Sequence, residues 1–320
     1  MAIKLGYLLP TREQIMQGRP EVAPMLALAE RAEALGFDSI WVGDSITARP
    51  RHDPLTLLAA VAARTKRVEL GTAVLLPALR NPVVLAHQLA TLDQISEGRV
   101  ILGIGAASDV PQVRAEFTAC GVPFEARGTR MMQAVRLCRA LWAGGPVDWP
   151  RPDSKGEEGL WTLRGQEIGP LPYRPGGPPI WIGGTVPATI NRVGRELDGW
   201  FPSSLDASGF AQQWPMVQAA AAAHGRDPAA ITGAAYLTLA IDDDAVAATA
   251  SVHAFLRSYY GDRADISSKL GPCYGGGLEG AVTFLRGFIQ AGATHLMLRF
   301  CGAPDRQLEM LAGARRQLTP

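Results

Sequence analysis

The chain has 320 residues, 47% hydrophobic and 19% charged, with a formal net charge of +1. So neutral a balance excludes a general affinity for nucleic acid, which needs clustered Lys and Arg to neutralise phosphates. No apolar run approaches the roughly 20 residues that cross a bilayer, and Cys120, Cys138, Cys273 and Cys301 form no CxxC pair that would mark a zinc or redox site. The opening MAIKLGYLLP enters a strand-like run at once and lacks a signal-peptide pattern, so a reducing cytoplasm is the expected compartment.

Along the chain, short runs rich in β-branched residues alternate with Ala/Leu-rich segments of helical period. The first unit is a strand over Ile3–Leu9 and a helix from about Glu21 to Leu35, stopped by Gly36. A strand at Ser39–Val42, a helix at Pro54–Arg64, a strand at Val68–Leu75 and a helix at Val83–Ile95 follow. Pro54 and Pro82 suit helix starts, where a missing N–H costs no hydrogen bond. Next come a strand at Val100–Ile104 and a helix at Phe124–Trp142. Residues 144–177 are rich in Pro and Gly, with one strand-like stretch at Leu160–Leu163, and read as an insertion before the fifth strand. Alternation resumes with strands at Ile180–Ile182, Gly199–Phe201, Ala235–Ile241 and His295–Leu298. The intervening helices are Ala188–Arg195, Phe210–His224, Asp244 to about Tyr259 and, after a loop through Gly275–Gly277, Glu279–Ala291; a last helix starts at Asp305.

Eight strand–helix units without a composition break predict a closed (β/α)8 barrel, residues 1–320 forming one domain; a doubly wound pair of domains is the alternative. In a barrel, chemistry collects in the loops after the strands. Asp44 follows strand two, where it either accepts hydrogen bonds from a heterocycle or closes its own turn. Gly71-Thr72-Ala73 puts a glycine inside strand three, a sign of a barrel corner or of a close approach by another group. After strand four, Gly103-Ile104-Gly105-Ala106-Ala107-Ser108-Asp109 lacks the third glycine of a dinucleotide fingerprint, but makes a small-residue platform that a planar ring can approach. After strand five, Gly183-Gly184-Thr185-Val186 feeds a helix start, with Thr185 available as its cap. That is either an anion-binding turn or an ordinary capped one. The five histidines show no metal-ligand spacing, so no metal is expected. His52, near Arg49 and Arg51, is the one placed to face a substrate, while His87 and His295 read as structural.

Four stretches, GFDSIWVGDS, RVELGTAVLLPALRNPVVLAHQLATLDQISEGRVILGIGAA, PPIWIGGTVPATINRVGRELDGWFP and GATHLMLRF, resemble the bacterial luciferase-like flavin or deazaflavin oxidoreductases over nearly the whole chain. The resemblance implies a (β/α)8 barrel with an insertion, commonly dimeric, that binds FMN or the deazaflavin coenzyme F420. It places Asp44 near the polar edge of the ring and a non-proline cis peptide at Ala73–Val74 behind it. Gly105, Ala106 and Ala107 would border the ring or its ribityl chain, and Gly183, Gly184, Thr185 and Val186 would hold the phosphate. Sugar-phosphate and alcohol dehydrogenases of this kind carry His directly after that Asp and, in the sugar-phosphate enzymes, a Glu that acts as an acid; here Ser45 and Ser108 stand there. Asp44, Ser45 and Ser108 are thus the implied catalytic positions. Serine is a poor base without a partner, which argues against ordinary alcohol dehydrogenation. The implied activity is F420-dependent hydride transfer with a small molecule, toward which the Ala/Arg-rich composition tilts the choice. The alternatives are an FMN-dependent monooxygenase fed by a separate flavin reductase, and a non-catalytic flavin-binding protein. Arg49, His52 and Arg299 are the candidate substrate contacts, Arg299 standing at the end of strand eight.

Overall fold

The computed structural model describes residues 2–150, 160–261 and 271–318. Strand β1 (Lys4–Leu8) leads through a short α1 (Thr11–Met16) and α2 (Ala23–Ala34) to β2 (Ser39–Val42). Then come α3 (Pro54–Arg64), β3 (Glu69–Thr72), α4 (Pro82–Ile95) and β4 (Val100–Ile104). Helices α5 (Pro111–Ala119) and α6 (Arg127–Trp142) precede an antiparallel hairpin of β5 (Val147–Trp149) and β6 (Leu163–Gln166). The second half runs β7 (Ile180–Ile182), α7 (Pro187–Glu196), β8 (Gly199–Trp200), α8 (Ala207–Ala223) and β9 (Thr232–Ile241). It ends with α9 (Ala245–Tyr260), β10 (Cys273–Gly276), α10 (Leu278–Gln290), β11 (His295–Phe300) and α11 (Pro304–Ala314).

Eight strands pair in parallel in the order β1, β2, β3, β4, β7, β8, β9, β11, and β11 returns to β1, closing the barrel. β2, β4, β7 and β11 are buried along their whole length, as strands covered on both faces must be. The prolines at Pro54 and Pro82 do open their helices. The preceding Asp53 and Asn81 cap them by accepting backbone N–H bonds from Thr56 and from Val83 and Val84. Gly36, at φ +84°, ends the first long helix as expected.

The Gly275–Gly277 region is not the loop its composition suggests. β8 is only two residues long and pairs the lower end of β9, at Thr232 and Gly233, leaving the upper edge of β9 open. β10 fills that edge, from Cys273 opposite Thr238 to Gly276 opposite Ile241. Gly275 is required there because α9 crosses closely: a Cβ would lie 2.7 Å from the Thr249 Cα. Helices α1 and α5 also escape the hydrophobic-period reading, since both are short, α1 being mostly polar and α5 mixed.

The barrel interior holds a separate core of Leu8, Trp41, Ile101, Trp181, Phe201, Ala234 and Met297. Trp41 lies 5.4 Å from Trp181 and 6.3 Å from Phe201, centroid to centroid. The glycine in strand three marks a close approach from inside: a Cβ at Gly71 would sit 2.1 Å from the Trp41 ring. Below the rings, Trp41 Nε1 donates to Ser39 Oγ at 2.6 Å, and Ser39 Oγ lies 2.7 Å from His295 Nε2. With the serine oxygen already accepting from tryptophan, its own hydrogen is free for a neutral imidazole. Burial, and then the nearby Lys4, lower the His295 pKa to about 3. His295 is therefore structural, as its position at a strand start suggests.

Two outcomes follow for stability. Gly71→Ala should cost about 2 kcal/mol by overpacking Trp41, read as a lowered urea midpoint. An unfolded histidine takes up a proton below its ordinary 6.5, whereas folded His295 does so only near 3. Stability should therefore fall on acidification from about pH 6 to about pH 4, with up to about 1.4 kcal/mol per pH unit from this group. His295→Gln should flatten that part of the urea-unfolding profile; an unchanged slope contradicts the assignment.

Candidate active site

At the carboxyl ends of the strands lies a cleft of about 290 Å³, walled by residues from β2, β3, β4, β7, β8, β9 and β11 or the loops after them, and from α5 and α9. Asp44, Ser45, Ala73, Val74, Ala107, Ser108, Gly183, Arg49 and Arg299 all reach it. The Ala73–Val74 peptide is cis, as the resemblance implies. Gly105 stands behind Val74: a Cβ there would meet Val74 Cγ2 at 2.6 Å, so glycine lets the valine face the cleft. Ala106 packs against the main core instead.

Asp44 is tied down. Its side chain is 2% exposed and pairs with Arg80, Oδ2 to Nη1 at 2.5 Å and Oδ1 to Nη2 at 3.1 Å. The Leu76 N–H donates to the same Oδ2 at 2.9 Å. Burial works against the Arg80 charge, but Asp44 and then Asp53 outweigh it, so its pKa is raised. The carboxylate thus locks the loop after β2 to the loop after β3, and its turn reading is replaced by a buried ion pair.

Ser45 has the partner that its sequence context lacks. Its Oγ donates to Glu116 Oε1 at 2.9 Å and accepts from the Arg49 N–H at 2.9 Å. Glu116, on α5 and 1% exposed, also takes the backbone N–H groups of Ile46, Thr47 and Ala48 on that same oxygen. Its Oε2 is buried without a partner among the described residues. Ser108 is exposed at the rim.

The Gly183–Val186 turn differs from expectation in one respect. The residue before α7 is Val186, not Thr185, and no side chain caps this helix. The backbone N–H groups of Gly184, Thr185 and Val186 have no acceptor among the described residues, and Gly184 takes φ +115°. Gly183 enters the cleft while Thr185 and Val186 extend the turn outward, Val186 being 57% exposed. His52 is turned away: its Nε2 bonds the Pro20 carbonyl at 2.8 Å, and it does not line the cleft.

A family model described as luciferase-like monooxygenase matches residues 3–317. The chain belongs to that family. It is 33% identical over 254 residues to an F420-dependent glucose-6-phosphate dehydrogenase of Rhodococcus erythropolis, covering 77% of this chain and 71% of the relative. It is 28% identical over 289 residues to a 5,10-methylenetetrahydromethanopterin reductase of Methanolobus tindarius, covering 87% and 82%. Among solved structures, an F420-dependent secondary alcohol dehydrogenase in complex with an F420–acetone adduct superposes with a TM-score of 0.83 at 20% identity, over 100% of both chains. That likeness supports the shared barrel fold.

Within the family frame, sequence reasoning misses Glu116, Tyr236, Tyr259 and Tyr260, all of which line the cleft, as does Arg51, named beside Arg49 and His52. Glu116 is one charge in a mixed helix, and the tyrosines sit inside β9 and at the end of α9, where they read as core. Among the described residues no cluster of His, Cys, Asp or Glu could hold a metal, and the four cysteines are free.

The Asp44–Arg80 pair yields a stability test. Arg80→Met, which leaves a buried carboxylate unpaired, should cost about 3 kcal/mol in urea unfolding. Asp44→Asn should cost less, because Arg80 keeps Asp53 at 3.4 Å. Negligible losses from both variants would show that the pair does not couple the two loops.

Proposed function

We propose that this chain is an F420-dependent oxidoreductase that transfers hydride to or from a small organic substrate in the cleft. The observation that carries this reading is the cradle itself. Ala73, Val74 and Ala107 offer a wall of small side chains, and Gly183 opens onto three backbone N–H groups without acceptors among the described residues. Such a turn at the start of a helix suits a phosphate. The relatives' names supply the choice of F420.

Asp44 would present what remains of its acceptor capacity to the polar edge of the ring, already fixed by Arg80. A bound deazaflavin would supply the hydride donor or acceptor, leaving orientation and proton handling to the protein. Ser45 would accept a hydrogen bond from a donor group of the substrate, with Ser108 at the rim beside it. To act as a base, Ser45 would have to pass its proton to Glu116 Oε1. That oxygen already accepts from Ser45 and from three backbone N–H groups, so its lone pairs are taken. With its one hydrogen committed to Glu116, Ser45 can only accept from a substrate group, and the pair is poorly placed to deprotonate an alcohol.

The same reading takes residues 1–320 as one domain with residues 144–177 as its insertion, in a cytoplasmic homodimer. Membrane attachment by a helix has no support, since no helix among the described residues is long and apolar enough to cross a bilayer.

Cofactor-free protein titrated with F420 and with FMN, followed by fluorescence, should bind F420 at micromolar concentration or tighter. Gly183→Ala, which puts a methyl group into the turn, should weaken that binding by about tenfold or more. It should leave the thermal midpoint nearly unchanged, because a Cβ there meets its nearest atom at an ordinary 3.6 Å. Selective FMN binding would instead make the protein the oxygen-using partner of a separate flavin reductase. Tight binding without turnover across a broad substrate panel would make it a flavin-binding protein only, and binding of neither cofactor would sink the assignment.

A further inference from the structure

The cleft is lopsided in charge. Arg299, at the top of β11, is 3% exposed, yet among the described residues its guanidinium hydrogen-bonds only neutral groups. Nε and Nη2 donate to Thr238 Oγ1 at 3.1 and 2.8 Å, and its Cζ lies 4.6 Å over the Phe255 ring and 4.9 Å over Tyr259. Nη1 has only Tyr260 Oη at 3.4 Å. Arg51 donates to the Tyr259 hydroxyl at 3.2 Å and to the Arg49 carbonyl at 3.2 Å. Arg49 stacks at 5.6 Å over Tyr260 and makes no other side-chain contact of this kind. No carboxylate lies within 4.0 Å of any of these three arginines among the described residues. The two acids of the cleft are spent elsewhere, Asp44 on Arg80 and Glu116 on the 45–48 turn.

An arginine cannot shed its charge by losing a proton, and aromatic faces compensate only part of its lost hydration. A buried guanidinium without a counter-ion is therefore costly unless an anion completes the site. The tyrosines register the same field. Burial alone would raise the Tyr259 phenol, but Arg51, Arg299 and Arg12 together bring it below its ordinary value, against an opposing push from Glu13.

We infer that Arg51 and Arg299, with Arg49 at the edge, form a subsite for an oxyanion group of the substrate, a carboxylate or a phosphate. This rests on the reading of the cleft as the reaction site. The aromatic rings cover the faces of the Arg299 guanidinium and Thr238 takes one edge, so Nη1 and the Arg51 guanidinium are the donors left for the anion. The hydroxyls of Tyr259 and Tyr260 stand beside them.

Calorimetric titration of the cofactor-free protein with benzoate and with inorganic phosphate, at constant ionic strength in chloride, tests this without any cofactor. At least one probe should bind below about 1 mM, and Arg51→Gln should weaken it by about tenfold or more. The stronger probe identifies the substrate's anion as carboxylate or phosphate. Arg299→Lys keeps the charge but not the planar fork, and should also weaken binding measurably. Binding of neither probe below about 10 mM, or equal binding by wild type and both variants, overturns the inference whatever the F420 titration shows. It is equally overturned if the variants weaken F420 but not its chromophore lacking the phosphate and glutamyl tail, because the arginines would then hold the cofactor's own anion.

Discussion

Everything in this barrel depends on how three large rings are fitted into its lumen. Trp41, Trp181 and Phe201 stack between opposite walls at centroid distances of 5.4 to 6.3 Å. They fit because the facing strand positions have no side chain. A Cβ at Gly6 would lie 2.9 Å or less from Trp41 ring atoms, and one at Gly199 would lie 2.5 Å from the Trp181 ring. The interior of a small barrel is a packed core whose layers must fill it without voids. Rings set against glycines meet that demand and leave Phe201 as the floor of the cleft above. Beneath them, the Trp41–Ser39–His295 chain satisfies the polar atoms that the stack would otherwise strand in apolar surroundings.

The mouth is organised differently, by charges held on the loops. Asp44 and Arg80 join the loops after β2 and β3, and Glu116 gathers the 45–48 turn onto α5. Each is a buried acid whose role is to fix backbone. Once Asp44 and Glu116 are so engaged, the arginines on the far side have no acid to pair with among the described residues. The fold thereby stores unbalanced positive charge in the place where a substrate would arrive. Ser45 belongs to the same arrangement, its small hydroxyl closing this turn by bonding Glu116 and the Arg49 N–H.

The sequence by itself determined the barrel, because alternation of strand and helix periods is local and repeats eight times. It also determined the places where the site residues leave the strands: Asp44, Ala73, Val74, Ala107 and Gly183 meet at one cleft because all follow parallel strands and share one end of the barrel. What only the tertiary structure decided are the pairings between residues far apart in the chain. Arg80 lies 36 residues from Asp44, and Glu116 lies 71 from Ser45. β10 is a strand only because a short β8 leaves the edge of β9 open, and its Gly275 is there for the crossing of α9. Arg51 and His52 are neighbours in the chain and look alike as candidates, yet one turns to the tyrosines of α9 and the other to the Pro20 carbonyl. Periodicity reports which face of an element is buried. It carries no information on which distant partner meets that face, and the charge balance of the cleft is set by those partners.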